Sequence, residues 1–438
     1  KMNKSKMHLP SDNTARPQQC HLTLLMQRNA LLHSHPRMIS VLCVHPSVCD
    51  IPLPRRLLRS PTCSPKAGFQ DRKLDRTCDV IYEICSAQGY KNMVKSVPHA
   101  ARDLQAVYVT LISLDGSLWT KKWRTHYLLL LWLGVLMLNP FDINSIVDDG
   151  TTLVAGIVQC CTEALNEAGP SRQAAAFCMS TTLTRQDVSI HFLVDLVHQT
   201  SSLLADLGSL ESQAPFAAMG AIQALAAIYK RGDRALLRNL ADRVFEAVRP
   251  CLLDAECSTH RVLKHFVIKL VARLGIAVLK PRSASWCYTR GRRNLMMDGF
   301  ESCYEVSEAD EESGERASVG VEDKRFKHIV ESAVGVLLQA TCDSETKIRW
   351  SAAKGIARIA SRLPRGLADD IVKNVLSIFT DAGSLHNDNA WHGSCLALAE
   401  LGRLGILLPR RLPESLSALE IAIRYEVRHG SRSVGANV

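Results

Sequence analysis

The chain has 438 residues, of which 47% are hydrophobic, 22% charged and only 5% aromatic. This length exceeds what one hydrophobic core usually serves, so we expect several domains or an elongated repeat array. The fifteen cysteines are irregularly spaced and form no CxxC pair, which argues against a disulfide scaffold. Leu and Ala dominate the apolar content and favour helices, whereas strands prefer β-branched and aromatic residues.

The first 70 residues carry most of the positive charge. They hold ten Lys or Arg and only two Asp, which gives +8 of the formal net charge of +10. Eight prolines interrupt this stretch, and no helical or strand period is sustained. We therefore predict that 1–70 is disordered or foreign to the fold. A basic tail could contact RNA, anionic lipid or acidic protein tails, or it could be a solvated leader.

Helical patterns follow one another from Leu74 onward, separated by Gly, Pro or polar clusters. We assign 71–296 to a HEAT-like helical-repeat region. The apolar run from Tyr127 to Leu138 has twelve residues, too few to cross a bilayer, and it predicts a buried core helix rather than membrane insertion. The periodicity predicts helices over 74–87, 99–113, 121–138, 151–167, 171–183, 187–206, 214–230, 234–253 and 258–279.

The helical pattern stops between 297 and 325. Ten Asp or Glu face the single Arg316 before Lys324, mixed with Ser and Gly. Charges of one sign at this density oppose collapse, so this stretch is predicted to be a mobile acidic loop.

The clearest repeats lie in 326–438. One apolar helix is followed by a polar turn with Asp343 and by a second helix that contains Arg349, Ala352 and Ile356. We expect Asp343 to accept bonds from turn amides and to pair with the Arg that opens the second helix. The small alanines should let the helices approach closely. A second unit follows roughly 41–45 residues later, within the HEAT or armadillo period.

A third unit begins near Pro413 and its first helix should run to about Arg428, so the sequence looks truncated within a repeat. Such helix pairs cannot bury their faces alone and therefore stack. The predicted fold is an all-α, HEAT/armadillo-like helical-repeat solenoid.

Several strings resemble one family, the tubulin-folding cofactor D (tubulin-specific chaperone D) family. They are RWSAAKGI at 349–356, LPRGLADD at 363–370, AWHGSCLALAELGR at 390–403 and SVGANV at 433–438. The resemblance covers about 78–438; the stretch 1–70 does not look like the family's N-terminal repeats, and the family's C-terminal half is absent.

The resemblance implies a cytoplasmic, cytoskeleton-associated chaperone that captures β-tubulin. With other cofactors (C and E type) and an Arf-like small GTPase, it would assemble or dismantle the αβ-tubulin heterodimer. The alternative is a generic HEAT-repeat adaptor or transport scaffold. The near-neutral body beyond residue 70 argues against nucleic-acid binding.

No catalytic motif is present: the sequence lacks a GxxxxGK loop, a GxSxG elbow and an HExxH pair. We predict a non-enzyme without cofactor or metal. Exposed positions on second helices are the candidates for partner contact. Trp350 and Trp391 are either interface anchors or residues that pack between repeats. The cluster of Arg290, Arg292 and Arg293 could meet an acidic tail or offset the acidic loop. The candidate partner-binding residues are Trp350, Lys354, Arg358, Trp391, His392, Glu400 and Arg403.

Overall fold

The computed structural model describes residues 67–114, 121–205, 214–253, 261–281, 326–380, 388–424, 428–429 and 432–433. The basic segment up to residue 66 and the acidic stretch 297–325 lie outside these ranges, so the expectations for them stay predictions.

The described ranges contain fifteen α-helices, numbered here in chain order. The first eight are α1 (Ala67–Gln88), α2 (Tyr90–Met93), α3 (Leu104–Ile112), α4 (Trp123–Leu136), α5 (Gly150–Leu165), α6 (Ser171–Leu183), α7 (Ile190–Ala205) and α8 (Ala214–Arg231). The others are α9 (Arg234–Leu253), α10 (Arg261–Val278), α11 (Lys327–Ala340), α12 (Thr346–Ala360), α13 (Arg365–Thr380), α14 (Asp388–Arg403) and α15 (Leu412–Arg424).

These helices stack as a two-layer solenoid, as the sequence predicted. Each first helix packs against the second helix that follows it, in the pairs α3–α4, α5–α6, α7–α8, α9–α10, α11–α12 and α13–α14. The second helices also pack on one another in order, α4 on α6, then α8, α10, α12 and α14. We call this continuous row of packed second helices the second-helix layer. Because each pair contacts mainly its neighbours, one core runs the length of the described repeats.

Helix α4 lies at the start of this core. It contains most of the twelve-residue apolar run, and every side chain from Thr125 to Leu136 is buried. Trp132 donates from Nε1 to the carbonyl oxygen of Pro98 over 2.8 Å, which satisfies its polar atom inside the core. The prediction of a buried core helix is confirmed. None of the described helices is both long and apolar enough to cross a bilayer.

Small residues allow the helices to approach closely. Ala352 and Ala353 of α12 are completely buried, as is Ser394 of α14, so the predicted small-residue positions are confirmed. Position 393 has no room for any side chain, because a Cβ placed on Gly393 would lie 1.7 Å from the carbonyl oxygen of Thr341. Backbone therefore touches backbone where α14 crosses the end of α11.

Most predicted helices are found within a few residues of their predicted bounds, but three boundaries differ. Helix α1 begins at Ala67, although 1–70 was predicted to be disordered or foreign to the fold. Helix α3 begins at Leu104 rather than 99, after a 3₁₀ turn over Ala101–Asp103, a common way to open a helix.

The last helix is shorter than expected. It ends at Arg424, and Arg428–His429 pairs as a short antiparallel strand with Arg432–Ser433. The prediction of helix as far as Arg428 is therefore wrong. Nearby Tyr425, Val427 and Gly430 have lower helix propensity than the Leu- and Ala-rich sequence before them.

Candidate partner-binding surface

Arg349 connects two consecutive repeats through buried hydrogen bonds. Its side chain lies at the start of α12 and donates to the carbonyl oxygens of Asp343 at 2.7 Å and Ser344 at 2.9 Å. It also reaches α14, where it donates to Oδ1 of Asn389 at 2.7 Å and to Nδ1 of His392 at 3.0 Å. The planar guanidinium with several donors suits this role, because one side chain fixes both a turn and the neighbouring helix.

Asp343 acts in the turn as predicted, but with a different cation. Its Oδ1 accepts a bond from the amide of Glu345 at 2.8 Å, which confirms the contact with a turn amide. Its Oδ2 pairs with Nζ of Lys264 on α10, and Arg349 binds the carbonyl oxygen of Asp343 instead of its carboxylate. The expected pair with the Arg that opens the second helix is wrong, because Arg349 is turned towards α14.

Trp350, Lys354 and Arg358 form a stripe on the exposed side of α12. They are spaced four residues apart, which places them on one face of a helix. The Trp350 side chain is 43% exposed, and Nζ of Lys354 lies 3.9 Å from the centre of its indole ring. Arg358 is also exposed. Trp350 is therefore a surface residue, and its role as an interface anchor stays a prediction.

Trp391 lies in the core instead. It is only 4% exposed, and its ring meets Phe379 of α13 edge to face with the centroids 5.7 Å apart. Of the two alternatives for Trp391, that of an interface anchor is wrong, because the residue packs inside the core. One residue along a helix turns the side chain by about 100°, so the exposed face begins at His392 and Trp391 faces α13.

The three remaining candidates share the exposed side of α14. His392 is half-buried beside Arg349, and burial together with that cation lowers its pKa. Arg403 is exposed and donates from Nε to Oε2 of Glu400 at 2.9 Å. Since α12 and α14 pack side by side, the stripe on α12 and these residues form one continuous surface.

Sequence reasoning missed a second feature of the second-helix layer. Burial and mutual repulsion lower the pKa values of Lys230 on α8 and of Lys269 and Arg273 on α10. The cations that repel them come from four helices, so residues far apart in sequence are close in space. We call six of these cations the basic cluster: Lys91, Lys230, Arg231, Lys269, Arg273 and Arg358. Lys347 of α12 also acts on Lys269.

The cluster of Arg290, Arg292 and Arg293 lies outside the described residues and stays a prediction. Among the described residues, no group of three or more His, Cys, Asp or Glu is placed to hold a metal ion. Burial raises the pKa of Cys78 to about 12 and of Cys395 to about 11. Buried, protonated thiols behave as small apolar side chains rather than nucleophiles.

The fold and this surface define a helical-repeat scaffold with an exposed second-helix layer. Two family models match the chain: "Tubulin-specific chaperone D-like, ARM repeat" over 55–204 and "Tubulin-specific chaperone D-like, ARM repeats" over 262–438. The match begins at 55, earlier than the start near 78 that the resemblance suggested. The chain belongs to the tubulin-specific chaperone D-like family of ARM-repeat proteins.

Two curated relatives agree with this assignment. "Tubulin-folding cofactor D" of Schizosaccharomyces pombe is 24% identical over 371 residues, which cover 82% of this chain and 31% of the relative. "Tubulin-specific chaperone D" of Dictyostelium discoideum is 27% identical over 355 residues, which cover 72% of this chain and 24% of the relative. The matched part of the chain thus spans 31% and 24% of the length of these relatives.

Among solved structures, two engineered proteins share 15% and 14% identity with the chain, each at a TM-score of 0.33. The first match covers 68% of this chain and 97% of the engineered one; the second covers 87% and 85%. The helix packing and the family, rather than this likeness, define the fold.

Proposed function

We propose that this chain is a scaffold of the tubulin-folding machinery that captures β-tubulin on its second-helix layer. In this proposal it works in the cytoplasm, with C- and E-type cofactors and an Arf-like small GTPase, and it has no active site of its own. Membership of the tubulin-specific chaperone D-like family supports this role, as do two relatives named for tubulin folding.

One observation supports the exposed side of α12 and α14 as the partner-binding surface. Trp350 is a large aromatic residue, 43% exposed, on a helix whose opposite face is fully packed. Exposed tryptophans are strong candidates for interface anchors, since they bury much area with little loss of conformational freedom. Lys354 and Arg358 on the same stripe, and Glu400 and Arg403 on α14, would supply a charged rim. We therefore place the partner contact on α12 and α14.

The test uses the full 438-residue chain, immobilised and incubated with purified αβ-tubulin and with cytosolic extract. Quantitative mass spectrometry then compares the retained β-tubulin with the retained α-tubulin. We expect β-tubulin to be enriched over α-tubulin, and Trp350→Ala to weaken its capture. The matched control is Leu367→Ala, because Leu367 is 54% exposed but lies on a first helix, α13.

The outcomes separate function from site. Failure of the folded chain to enrich β-tubulin over α-tubulin would refute the proposed function. Enrichment that survives Trp350→Ala, or that is lost equally in Leu367→Ala, would refute the placement on α12. Retention of many unrelated proteins with no preference for tubulin would instead favour a generic adaptor. Circular dichroism on each variant checks that helical content is unchanged.

A further inference from the structure

The basic cluster combines five cations of the second-helix layer with a sixth, Lys91, on α2. Arg231 ends α8, Lys269 and Arg273 lie one turn apart on α10, and Arg358 lies on α12, the next helix of the layer. Lys91 of α2 acts on Lys230 and Lys269, and Arg358 acts on Lys230 and Arg273. Four helices that are distant in sequence therefore contribute positive charge to one region.

No carboxylate neutralises this charge among the residues that the structure describes. Some cations elsewhere in those ranges have acidic partners at short distances: Arg185 binds Asp187 at 2.6 Å, and Arg411 binds Asp369 at 2.9 Å. By contrast, none of the six members of the basic cluster forms an ion pair with a described Asp or Glu.

The unpaired charge has a measurable electrostatic cost. The pKa of Lys269 is lowered to about 8, first by burial and then by repulsion from the neighbouring Arg273, Lys91 and Lys347. The pKa of Arg273 is lowered to about 10, first by burial and then by repulsion from Arg358 and Arg231. Like charges at close range oppose folding, so this arrangement reduces stability unless a ligand supplies negative charge.

Contacts within the fold hold several of these cations in place. Arg231 donates from Nη1 to Oγ of Ser180 at 2.9 Å, and its guanidinium lies 4.8 Å from the centre of the Phe177 ring. Arg273 donates to the carbonyl oxygen of Ala226. Lys269 lies over the ring of Phe266 at 5.7 Å. A site whose charges are already positioned loses less conformational entropy when it binds a ligand.

We propose that the basic cluster binds an acidic polypeptide segment of a partner protein. This inference does not depend on the identity of that partner, so it stands apart from the proposed capture of β-tubulin. Neighbouring helices lie about 8–10 Å apart and an extended chain rises about 3.3 Å per residue, so roughly every third residue of a crossing segment would reach a new helix. A Glu- or Asp-rich segment would therefore meet one group of cations after another.

Two features favour a polypeptide over a nucleic acid. Single-stranded nucleic acids are usually held by bases stacked on open aromatic faces. Here Arg231 covers the face of Phe177 and Lys269 covers that of Phe266, so those rings are occupied. In addition, the chain beyond residue 70 is close to neutral in total. Nucleic-acid binding usually needs a longer basic stripe.

The test measures fluorescence anisotropy of a labelled peptide of about twelve glutamates, long enough to cross about four helices. Two proteins are measured at low salt: the full chain, and the full chain with the ten acidic residues of 297–323 changed to their amides. The second protein is needed because these acidic residues could compete with the peptide for the basic cluster. The charge-reversal variant is Lys91→Glu, Lys230→Glu, Arg358→Glu, at three exposed positions. The matched control is Arg249→Glu, Lys327→Glu, Lys373→Glu, at three cations of first helices.

We expect the peptide to bind and the affinity to fall steeply with added salt, because charge drives the contact. The charge-reversal variant should bind at least about tenfold more weakly, which corresponds to about 1.4 kcal/mol, whereas the control should stay within about twofold. A neutral glutamine peptide should not bind. The proposal is overturned if neither form of the chain binds the glutamate peptide, if both variants lose binding equally, or if a uridine oligonucleotide of equal charge binds more tightly.

Discussion

Arg349 and His392 join the second helices of two consecutive repeats, with Nε of the guanidinium donating to Nδ1 of the imidazole over 3.0 Å. Because Nδ1 accepts this bond, the imidazole must be neutral and carry its proton on Nε2. Burial, together with the charge of Arg349, lowers the pKa of His392 below its ordinary value. The contact between repeats is therefore sensitive to acid.

The first prediction concerns this sensitivity. A histidine whose pKa is lower in the folded state keeps its full contribution above the unfolded value of about 6.5, and that contribution is lost as the pH falls towards the folded value. We expect His392→Gln, which can still accept from Arg349 but does not titrate, to lose less stability than the wild type between neutral and mildly acidic pH. Urea unfolding across that range measures this. Parallel stability curves would contradict it, since His126 and His265 titrate in both proteins.

The two tryptophans should differ strongly in their effect on stability. Trp391→Ala removes a buried ring that packs on Phe379, so it should lower the free energy of unfolding by about 3–5 kcal/mol. Trp350→Ala alters an exposed side chain, and its effect should stay within about 0.5 kcal/mol. Chemical unfolding monitored by circular dichroism measures both. If Trp350→Ala lowered the free energy of unfolding by several kcal/mol, Trp350 would be a residue that stabilises the fold rather than one available to a partner.

The sequence contained enough information to separate these tryptophans. The two clear repeats align with an offset of 42 residues, which places Ala352 beside Ser394 and Ile356 beside Leu398. At this offset Trp391 aligns with Arg349, which is buried, and His392 aligns with Trp350. The second helices were recognised correctly from their period, but treating both tryptophans as equivalent ignored the one-residue shift between them.

The basic cluster could not be predicted in this way. Lys91 and Arg358 lie on α2 and α12, and no local pattern connects them. Their proximity depends on how many successive helix pairs turn and stack, which helical periodicity does not encode. The change of partner at Asp343 has a similar cause, since Lys264 reaches it from a different repeat. The sequence therefore predicted the helices and the positions of small residues between them, but not the electrostatic contacts between repeats.

Gly393 provides a test of close packing. An added Cβ would lie 1.7 Å from the carbonyl oxygen of Thr341, and backbone cannot move away cheaply. We expect Gly393→Ala to lower the free energy of unfolding by about 1–3 kcal/mol despite the better helix propensity of alanine. The matched control is Gly335→Ala on α11, where the added Cβ meets nothing within 4 Å. That change should stabilise by about 0.5–1 kcal/mol, because glycine is unfavourable inside a helix. Equal effects of both changes in thermal unfolding would contradict the close approach.

The last prediction addresses the cost of the basic cluster. The pKa of Lys269 is lowered from 10.5 to about 8, first by burial and then by repulsion from Arg273. The folded state therefore releases this proton at lower pH than the unfolded chain, so stability should rise as the pH increases from about 8 towards 10.5. Lys269→Met keeps an apolar stem of similar length but carries no charge. We expect it to be more stable than the wild type at neutral pH, with the advantage shrinking as the pH rises through that window.

Lys373→Met is the comparison for this effect, because Lys373 pairs with Asp370 at 3.0 Å on α13 and should show no such gain. Urea unfolding at neutral and alkaline pH measures the difference between each variant and the wild type. The same Lys269→Met protein should bind the glutamate peptide more weakly, since it has lost one of six cations. The prediction is contradicted if Lys269→Met is less stable than the wild type at neutral pH, or if the difference in stability does not change with pH. Either result would show that the charge of Lys269 does not destabilise the fold. Greater stability together with weaker binding is the combination expected of a charge retained for a ligand.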